Sequence, residues 1–329
     1  MLVLGAADVR RALPMRAAID GMKTAFAAFS DGRADVPLRT RLPVNRHSGL
    51  SLFMPAYVNS DLGEALAVKV VSLFPGNLGR GLAYIQAAVL VLEPDTGRTV
   101  GLLEGSSLTA IRTGAAGGAA IELLSRPESS VLAVFGAGVQ ARTQAEAACL
   151  ARNVTTMWIF DPLAGQAESM AQELAGVAPI PADVRVAGSP AQALEHADIV
   201  CTATTSSSPV FPDSELPQGV HISAVGSYTP DMQEIPGETA RRARVFVDSR
   251  AAALAEAGDL LRPISAGLFN QDHISAEIGE VFLGRKSGRK SPAEITLFKS
   301  VGLAVQDAIA AGIAMQNAHR LGIGHHVEF

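Results

Sequence analysis

A glycine-rich turn is the strongest chemical signal in the sequence. It follows the apolar run Val131–Phe135 directly, opens a helical pattern and reads Gly136-Ala137-Gly138-Val139-Gln140-Ala141. The first glycine permits a tight turn, the second lets a pyrophosphate approach the backbone, and the closing alanine lets the helix pack closely on a sheet. The phosphates would meet the free amides and positive dipole of the helix N-terminus. We therefore predict a dinucleotide site with cofactor contacts at Gly136, Gly138, Val139 and Gln140.

A carboxylate at the end of the next predicted strand bears on which dinucleotide is bound. Asp161 follows Thr156–Phe160 and lies 23 residues beyond Gly138, where an acid can accept hydrogen bonds from the adenosine ribose. It would repel a 2′-phosphate, and no Arg or Lys follows it in Pro162–Ala164. The alternative is that Asp161 only caps the helix that follows. The pattern favours NAD(H), with NADP(H) possible.

Strands and helices alternate around the glycine-rich turn. The predicted strands are Val131–Phe135, Thr156–Phe160, Ala197–Ala203, Val220–Val225 and Val245–Val247, and the predicted helices are Gln140–Arg152 and Leu163–Ala175. Alternation on this scale is typical of an α/β fold with a doubly wound parallel sheet, the Rossmann architecture.

The flanking regions follow a different pattern. Before the alternating region, the sequence predicts a helix at Met15–Ser30, strands at Leu50–Met54, Ala65–Val71 and Gln86–Leu92, and a hairpin turn at Glu93–Gly97. After it, Ile295–Leu321 shows apolar residues at helical spacing. We expect these regions to form a second, α+β domain.

Composition narrows the functional class. The chain has 329 residues, enough for two domains, and its formal net charge of −5 argues against nucleic-acid and anionic-membrane partners. The densest basic stretch, Arg285–Lys290, is interpreted as a solvated loop. We find no metal-ligand spacing, no signal-peptide pattern and no run approaching the roughly 20 apolar residues of a spanning helix. Cys149 and Cys201 lie in apolar segments and favour free thiols in a reducing cytoplasm.

The chain resembles the ornithine cyclodeaminase/mu-crystallin family over nearly its whole length. The blocks that carry the resemblance are Val36–Thr40, Phe53–Ala56, Lys69–Val71, Leu108–Thr113, Gly136–Ala141, His221–Gly226, Val247–Ser249, Gly258–Asp259 and Thr296–Ser300. The resemblance implies a homodimer. A substrate-binding and dimerisation domain would comprise residues 1–118 and 296–329, and an NAD-binding Rossmann domain, residues 119–295, would be inserted into it. The implied substrate is an amino acid or cyclic imine acid held against the nicotinamide.

The resemblance also implies a carboxylate clamp made of Arg39, Lys69 and Arg112. A bidentate guanidinium fixes the orientation of a carboxylate, and a second cation neutralises it once water is excluded. Lys69 lies within the apolar run Leu66–Leu73, where an ordinary surface charge is unfavourable. Arg41, in the same loop as Arg39, is an alternative for that position.

Further cofactor contacts implied by the resemblance are Thr113, Thr202, Thr204, Val225, Gly226 and Lys299. Thr113 is expected near the phosphates. The two later threonines follow a predicted strand, where their hydroxyls would line the dinucleotide crevice. Val225 and Gly226 are expected near the nicotinamide. For Lys299 the alternative is a role in stabilising the fold.

One departure from the family pattern affects the predicted reaction. Ornithine cyclodeaminases carry an aspartate after the Val-Gly pair of this strand, and it acts on the substrate amine. Here Tyr228 stands at that place, and Asp231, three residues further, either compensates for the missing aspartate or caps or turns the loop. The tyrosine cannot act as a carboxylate base, although its hydroxyl can donate a proton or shape the pocket. The pattern is closer to mu-crystallin, a ketimine reductase.

These observations predict an oxidoreductase that reduces a cyclic imine 2-carboxylate with NAD(P)H. The expected substrates are Δ1-pyrroline-2-carboxylate or Δ1-piperideine-2-carboxylate, the expected product is the L-amino acid, and the expected catalytic residues are Lys69, Arg112 and Tyr228. The protein would orient the reactants while the cofactor carries the chemistry. The alternatives are an alanine dehydrogenase, an ornithine or lysine cyclodeaminase, and a non-catalytic protein that binds a small ligand.

Overall fold

A computed structural model describes residues 1–328 of the chain, apart from the side chains of Leu78 and Ala164. The chain divides into two compact units, Met1–Arg112 with Leu303–Phe329 (unit 1) and Thr113–Gly302 (unit 2). This division differs from the predicted boundaries, which fell after residues 118 and 295. Phe329, the last residue of the predicted segment 296–329, lies outside the described residues.

The N-terminal part of the chain contains the predicted helix at its predicted bounds, and longer strands than predicted. Its elements are β1 (Leu2–Leu4), α1 (Ala6–Ala12), α2 (Met15–Ser30), β2 (Ala34–Asp35), β3 (Thr40–Val44), β4 (Gly49–Ser60), β5 (Gly63–Leu73), β6 (Ile85–Leu92), β7 (Thr99–Glu104) and α3 (Gly105–Leu124). Short 3-10 turns occur at Asn45–His47 and Pro75–Arg80. The division between the two units falls within α3.

The remaining elements include the predicted strands and helices of the alternating region, together with others that the sequence did not predict. They are β8 (Val131–Phe135), α4 (Val139–Ala151), β9 (Thr156–Phe160), α5 (Ala164–Leu174), β10 (Asp183–Val186), α6 (Pro190–Leu194), β11 (Ile199–Thr202), β12 (His221–Ala224), α7 (Gly237–Arg242), β13 (Arg244–Val247), α8 (Arg250–Glu256), α9 (Gly258–Ser265), β14 (Ile274–Glu277), α10 (Ile278–Phe282), β15 (Thr296–Lys299), α11 (Ala304–Leu321) and β16 (His325–His326). Further 3-10 turns occur at Asp213–Glu215 and Gln271–His273.

Unit 1 is built on a mixed sheet of order β16-β1-β7-β6-β5-β4-β2, with β3 paired to β4. Strands β4 to β7 form successive antiparallel hairpins, whereas β1 pairs with β7 in parallel. The predicted hairpin turn Glu93–Gly97 joins β6 to β7, and Gly97 adopts the positive φ of +71° that this turn needs.

Helix α11 lies on β4 and β5 and packs against α2. The buried residues of α2 include Ala18, Met22 and Phe26, which recur every fourth position as expected for a helix with one apolar face. A Cβ on Gly21 would lie 2.5 Å from Ile313 of α11, so glycine allows the two helices to approach closely. This packing brings the start of α11 to the strand that carries Lys69.

Unit 2 contains a sheet of order β10-β9-β8-β11-β12-β15-β13-β14. The strand pairs in this sheet are parallel. Chain order reverses between β8 and β11, and in open α/β sheets the ligand crevice lies beyond the carboxyl ends of the strands at that point. The predicted doubly wound α/β sheet is confirmed.

The structure corrects the prediction that Ile295–Leu321 is helical throughout. Thr296–Lys299 form β15, which pairs with both β12 and β13, and the helix starts only at Ala304. All four strand residues are buried, as expected for an interior strand of a parallel sheet. Because β15 belongs to the sheet of unit 2, that unit extends to Gly302 and not to residue 295.

The connection after β15 is secured by a buried acid. Asp248, only 1% exposed, accepts hydrogen bonds through Oδ2 from the Ser300 hydroxyl and from the amides of Val301 and Gly302. Gly302 adopts φ +85°, a conformation that separates the strand from the helix. The family blocks Val247–Ser249 and Thr296–Ser300 therefore meet in one structural element.

Candidate active site

A cleft of about 610 Å³ opens in unit 2 at the carboxyl ends of β8, β9 and β11. Its lining includes four of the predicted cofactor contacts, Gly136, Gly138, Asp161 and Thr204. Gly136 has φ +98°, and a Cβ there would lie 2.7 Å from the carbonyl oxygen of Ala203, so the position requires glycine. A Cβ on Gly138 would meet open space, which leaves room for a ligand against the backbone. This arrangement fits a dinucleotide phosphate.

Three other predicted phosphate contacts lie on helices close to this turn in sequence or in space. Val139 and Gln140 form the start of α4, and the Val139 side chain is 67% exposed. Thr113 is partly buried on α3, and its carbonyl accepts a hydrogen bond from Gln144 of α4. Their contact with a cofactor stays a prediction.

Asp161 is placed both to contact a ribose and to cap the turn before α5, which the sequence left as alternatives. It lines the cleft at the end of β9, where it can meet a ribose. Its carboxylate also accepts hydrogen bonds from the amides of Ala137 (3.0 Å) and Leu163 (2.9 Å), so it joins the glycine-rich turn to the turn before α5. Each carboxylate oxygen retains a further lone pair for a ribose hydroxyl. A structural bond and a ligand contact are therefore compatible at this residue.

Two predicted cofactor contacts are buried instead of facing the cleft. Thr202 is 0% exposed, and its hydroxyl donates to Glu234. Lys299 is also 0% exposed and forms a 2.9 Å ion pair with Asp259. Neither side chain lines the cleft, and direct contact of Thr202 or Lys299 with a cofactor stays a prediction. Val225, Gly226 and Tyr228 are partly exposed beyond the end of β12.

In unit 1 a buried carboxylate joins two of the predicted clamp residues. Asp307, in the first turn of α11, forms an ion pair with Lys69 Nζ at 2.7 Å and accepts a hydrogen bond from Arg112 Nε at 3.0 Å. Arg112 also donates through Nη1 to Gln306, whose amide oxygen receives the Leu303 amide as well. The lysine and the aspartate are each 1% exposed. Strand β5 and helices α3 and α11 thus place three charged groups in one buried cluster.

The environment of Lys69 changes its acidity. Burial lowers the pKa of Lys69 to about 7, and the positive charge of Arg112 acts in the same direction. Asp307 opposes the change by favouring the charged ammonium. The amine therefore gains and loses its proton near neutral pH, which an exposed lysine does not do.

Arg39 completes the predicted set of cations within unit 1. Its charge makes a small contribution to lowering the pKa of Lys69. Arg39 is partly buried, whereas Arg41, the alternative for its position in the clamp, is exposed on β3. The structure therefore favours Arg39 over Arg41.

The sequence-based prediction missed Asp307, Gln306 and Glu234, which hold other functional groups in place. Asp307 and Gln306 were hidden because α11 was interpreted only by its apolar spacing. The sequence did contain a signal for Asp307, because Ala, Val and Ile surround it in the chain. Lys69 was recognised from apolar surroundings of the same kind. Glu234 lies in a loop with no local pattern that indicates burial.

Other classes of site find little support within residues 1–328. No group of three His, Cys, Asp or Glu side chains is arranged to hold a metal ion there. None of the described helices combines the length and apolarity needed to cross a membrane. Cys201 is buried and Cys149 partly buried, both as free thiols, and burial raises the pKa of Cys149 to about 12. Such a thiol is a poor nucleophile.

Comparisons with known proteins place the chain among enzymes of imine and amino-acid chemistry. The model of the ornithine cyclodeaminase/mu-crystallin family matches residues 1–320. A Δ1-pyrroline-2-carboxylate reductase of Bacillus cereus is 39% identical over the full length of both chains. The structure of the Thermococcus litoralis Δ1-pyrroline-2-carboxylate reductase with NADH and L-proline has a TM-score of 0.94 and 40% identity, covering 99% of this chain and 100% of that one. An archaeal alanine dehydrogenase dimer with bound NAD has a TM-score of 0.92 and 30% identity, covering 100% and 99%.

The buried cluster predicts that Asp307→Asn destabilises the protein. The substitution keeps the shape of the side chain but removes the negative charge shared by two buried cations. Breaking a buried ion pair in this way costs about 3–5 kcal/mol. Urea unfolding should show a loss of that order. The matched control is Asp61→Asn, in the same unit, because Asp61 pairs with Arg33 but is 86% exposed. Equal unfolding midpoints for the two variants would contradict the role of Asp307.

Proposed function

Since the chain belongs to the ornithine cyclodeaminase/mu-crystallin family, we propose that it reduces a cyclic imine 2-carboxylate with NADH. The substrate class is that of Δ1-pyrroline-2-carboxylate and its six-membered homologue, and the products are the L-amino acid and NAD⁺. The observation that carries this proposal is the buried Lys69–Asp307–Arg112 cluster, because it provides excess positive charge for a carboxylate.

Carboxylate recognition follows from the charges of the cluster. Lys69, Arg112 and Arg39 carry three positive charges when protonated, and Asp307 supplies one negative charge. A substrate carboxylate offsets part of this excess, which favours binding in a poorly hydrated site. Asp307 and Gln306 hold Nε and Nη1 of Arg112. We assign its Nη2 and the Lys69 ammonium to the substrate.

The cleft of unit 2 supports NAD(H) as the cofactor. Gly136 and Gly138 leave the backbone accessible to a pyrophosphate, and Asp161 stands where a ribose hydroxyl can donate to it. A carboxylate at this place disfavours the 2′-phosphate of NADP(H) through like charge. The relatives with NADH or NAD bound agree with this preference.

The chain's own residues orient the imine and manage its proton. Bound NADH supplies the hydride that adds to C2 of the substrate. The nitrogen is either protonated before binding or receives its proton from a donor such as Lys69, whose pKa of about 7 suits proton exchange near neutral pH. The Tyr228 hydroxyl is the second candidate donor. Hydride addition to the protonated imine gives the neutral secondary amine without a further redox partner.

We also propose a cytoplasmic homodimer. Leu42 of β3 pairs with Ser51 of β4, so Leu42 and Phe53 share the sheet face opposite the one that α11 covers. These side chains are 52% and 36% exposed, and a concentration of exposed apolar side chains on one face indicates a contact surface. The alanine dehydrogenase neighbour is a dimer.

Light scattering coupled to size exclusion tests the dimer. The chain has a mass of 34.1 kDa, so a homodimer should elute with about twice that mass. Phe53→Glu is expected to shift the protein toward the monomer, because burying an unpaired charge at an interface is costly. The matched control, Leu268→Glu, lies at another partly exposed apolar position, in unit 2. A monomeric wild type would contradict the proposal.

The reaction is tested by following NADH oxidation with five- and six-membered imine acids. We expect turnover with both, and at least about tenfold lower kcat/KM when NADPH replaces NADH, because Asp161 repels the 2′-phosphate. Pyruvate with ammonia and ornithine alone are the comparison substrates. Faster turnover of pyruvate with ammonia would identify an alanine dehydrogenase, and ammonia release from ornithine without net NAD⁺ reduction would identify a cyclodeaminase. NADH binding without turnover of any of these substrates would indicate a non-catalytic protein that binds a small ligand.

The pKa of Lys69 gives the reaction a defined pH dependence. Below pH 7 the free enzyme carries the Lys69 ammonium, and above it the amine is neutral and the carboxylate loses a cation. We therefore expect kcat/KM for the imine to fall as pH rises above about 7, approaching tenfold per pH unit. In Lys69→Arg the guanidinium stays charged, so this fall should disappear even if overall activity drops. If kcat/KM of Lys69→Arg fell with pH in the same way, the titrating group would be the imine nitrogen and not Lys69.

A further inference from the structure

The Glu234 carboxylate is buried in unit 2 and receives hydrogen bonds from two strand ends. Its Oε1 accepts the Thr204 amide at 2.6 Å, just after β11. Its Oε2 accepts the Gly226 amide at 2.7 Å, just after β12, and the Thr202 hydroxyl at 2.9 Å. One side chain therefore ties the carboxyl ends of neighbouring strands together.

The segment around Glu234 also supports the wall of the cofactor cleft. The Val210 amide donates to the Glu234 carbonyl at 2.8 Å, and the Gln233 amide donates to the Ser206 carbonyl at 3.0 Å. Thr204, Ser206 and Val210 all line the cleft. The wall that follows β11 is thus held against a single loop through both side-chain and backbone bonds.

A second buried layer fixes Glu234 itself. Asp259 Oδ1 accepts the amides of Glu234 (2.6 Å) and Ile235 (2.9 Å), and its Oδ2 pairs with Lys299 at 2.9 Å. The three charged residues are each 0% exposed. Burial raises the pKa of Glu234, and the Lys299 charge opposes that rise. Lys299, at the end of β15, thereby acts on the cleft through Asp259 and Glu234 without touching it.

The strand order indicates which half of the cofactor this network serves. Asp161, at the end of β9, marks the adenosine side, and β11 and β12 lie on the other side of β8. A Cβ on Gly226 would lie 2.3 Å from the Thr204 carbonyl oxygen and 2.4 Å from Glu234 Oε1, so the two strand ends meet in close contact. We propose that Glu234 is a positioning residue for the nicotinamide half of the cofactor, held by Asp259 and Lys299. This role rests on the NADH binding proposed above.

Binding of NADH and of AMP, which contains only the adenosine half, tests the role of Glu234. In Glu234→Gln the amide group would face backbone donors, so we expect the Kd for NADH to rise by about tenfold or more. The Kd for AMP should stay within about twofold of wild type, because the Asp161 side of the cleft is unchanged. The control, Glu238→Gln, removes the same charge from an exposed position on α7, where Glu238 pairs with Arg241, and should leave both constants unchanged.

The outcomes separate positioning from general stabilisation. Equal weakening of NADH and AMP in Glu234→Gln, or an unchanged Kd for NADH, would overturn the role. If that variant does not fold, as judged by circular dichroism, Thr202→Val removes only one donor to Glu234. It should raise the Kd for NADH by about threefold and leave AMP unaffected, and an unchanged Kd for NADH would again overturn the role. Wild-type protein that binds no NADH would instead reject the cofactor itself.

Discussion

The balance of charge between Asp307 and the two buried cations Lys69 and Arg112 is the constraint on which the proposed substrate site depends. Lys69 and Arg112 are buried side by side, and without a carboxylate between them their mutual repulsion would add to the cost of removing both from water. With Asp307 present, these three groups carry a net charge of +1 when Lys69 is protonated and zero when it is not. Burial and Arg112 favour release of the Lys69 proton, and Asp307 favours its retention. Together these effects place the protonation change of Lys69 near neutral pH.

This balance couples substrate binding to protonation. A bound carboxylate adds a negative charge beside Lys69 and so favours the ammonium form over the amine. By linkage, protonation of Lys69 strengthens carboxylate binding by the same factor. With the proposed substrate contacts, the enzyme would take up part of a proton as it binds the imine. A lysine that is fully charged in the free protein could not provide this coupling.

The parts of the fold that were predictable are those fixed by local constraints. Strands β8 and β9 were predicted at their observed bounds because each is a short apolar run that ends at a turn signal. The glycine-rich turn was located because Gly136 must adopt a positive φ beside Ala203, a requirement few residue types meet. Strand β15 was missed because the Ala-rich helical spacing of α11 was extended backward over Thr296 and Phe298, whose β-branched and aromatic side chains favour a strand.

The candidate site was predictable only in part, because burial of polar groups depends on distant segments. Lys69 was found since its apolar neighbours lie beside it in the chain, whereas Asp307 and Glu234 acquire their importance from residues far away in sequence. Thr202 and Lys299 show how little a sequence pattern says about the direction of a side chain. Lys299 belongs to a block that matches the family and Thr202 lies at the end of a predicted strand, but both side chains are buried. A motif indicates that a residue matters and does not indicate whether it acts by contact or through another residue.

The discontinuous course of unit 1 has a consequence for biosynthesis. Arg112 and Asp307 are separated by 195 positions, and α11 leaves the ribosome after all of unit 2. Unit 2 is contiguous and can fold as soon as it emerges, since domains generally fold as units during synthesis. Until α11 is synthesised, Lys69 of β5 and Arg112 of α3 lack the carboxylate of Asp307. The buried charge cluster is therefore completed only after unit 2 has been synthesised, and a chain that terminates before α11 lacks the carboxylate that pairs with both cations.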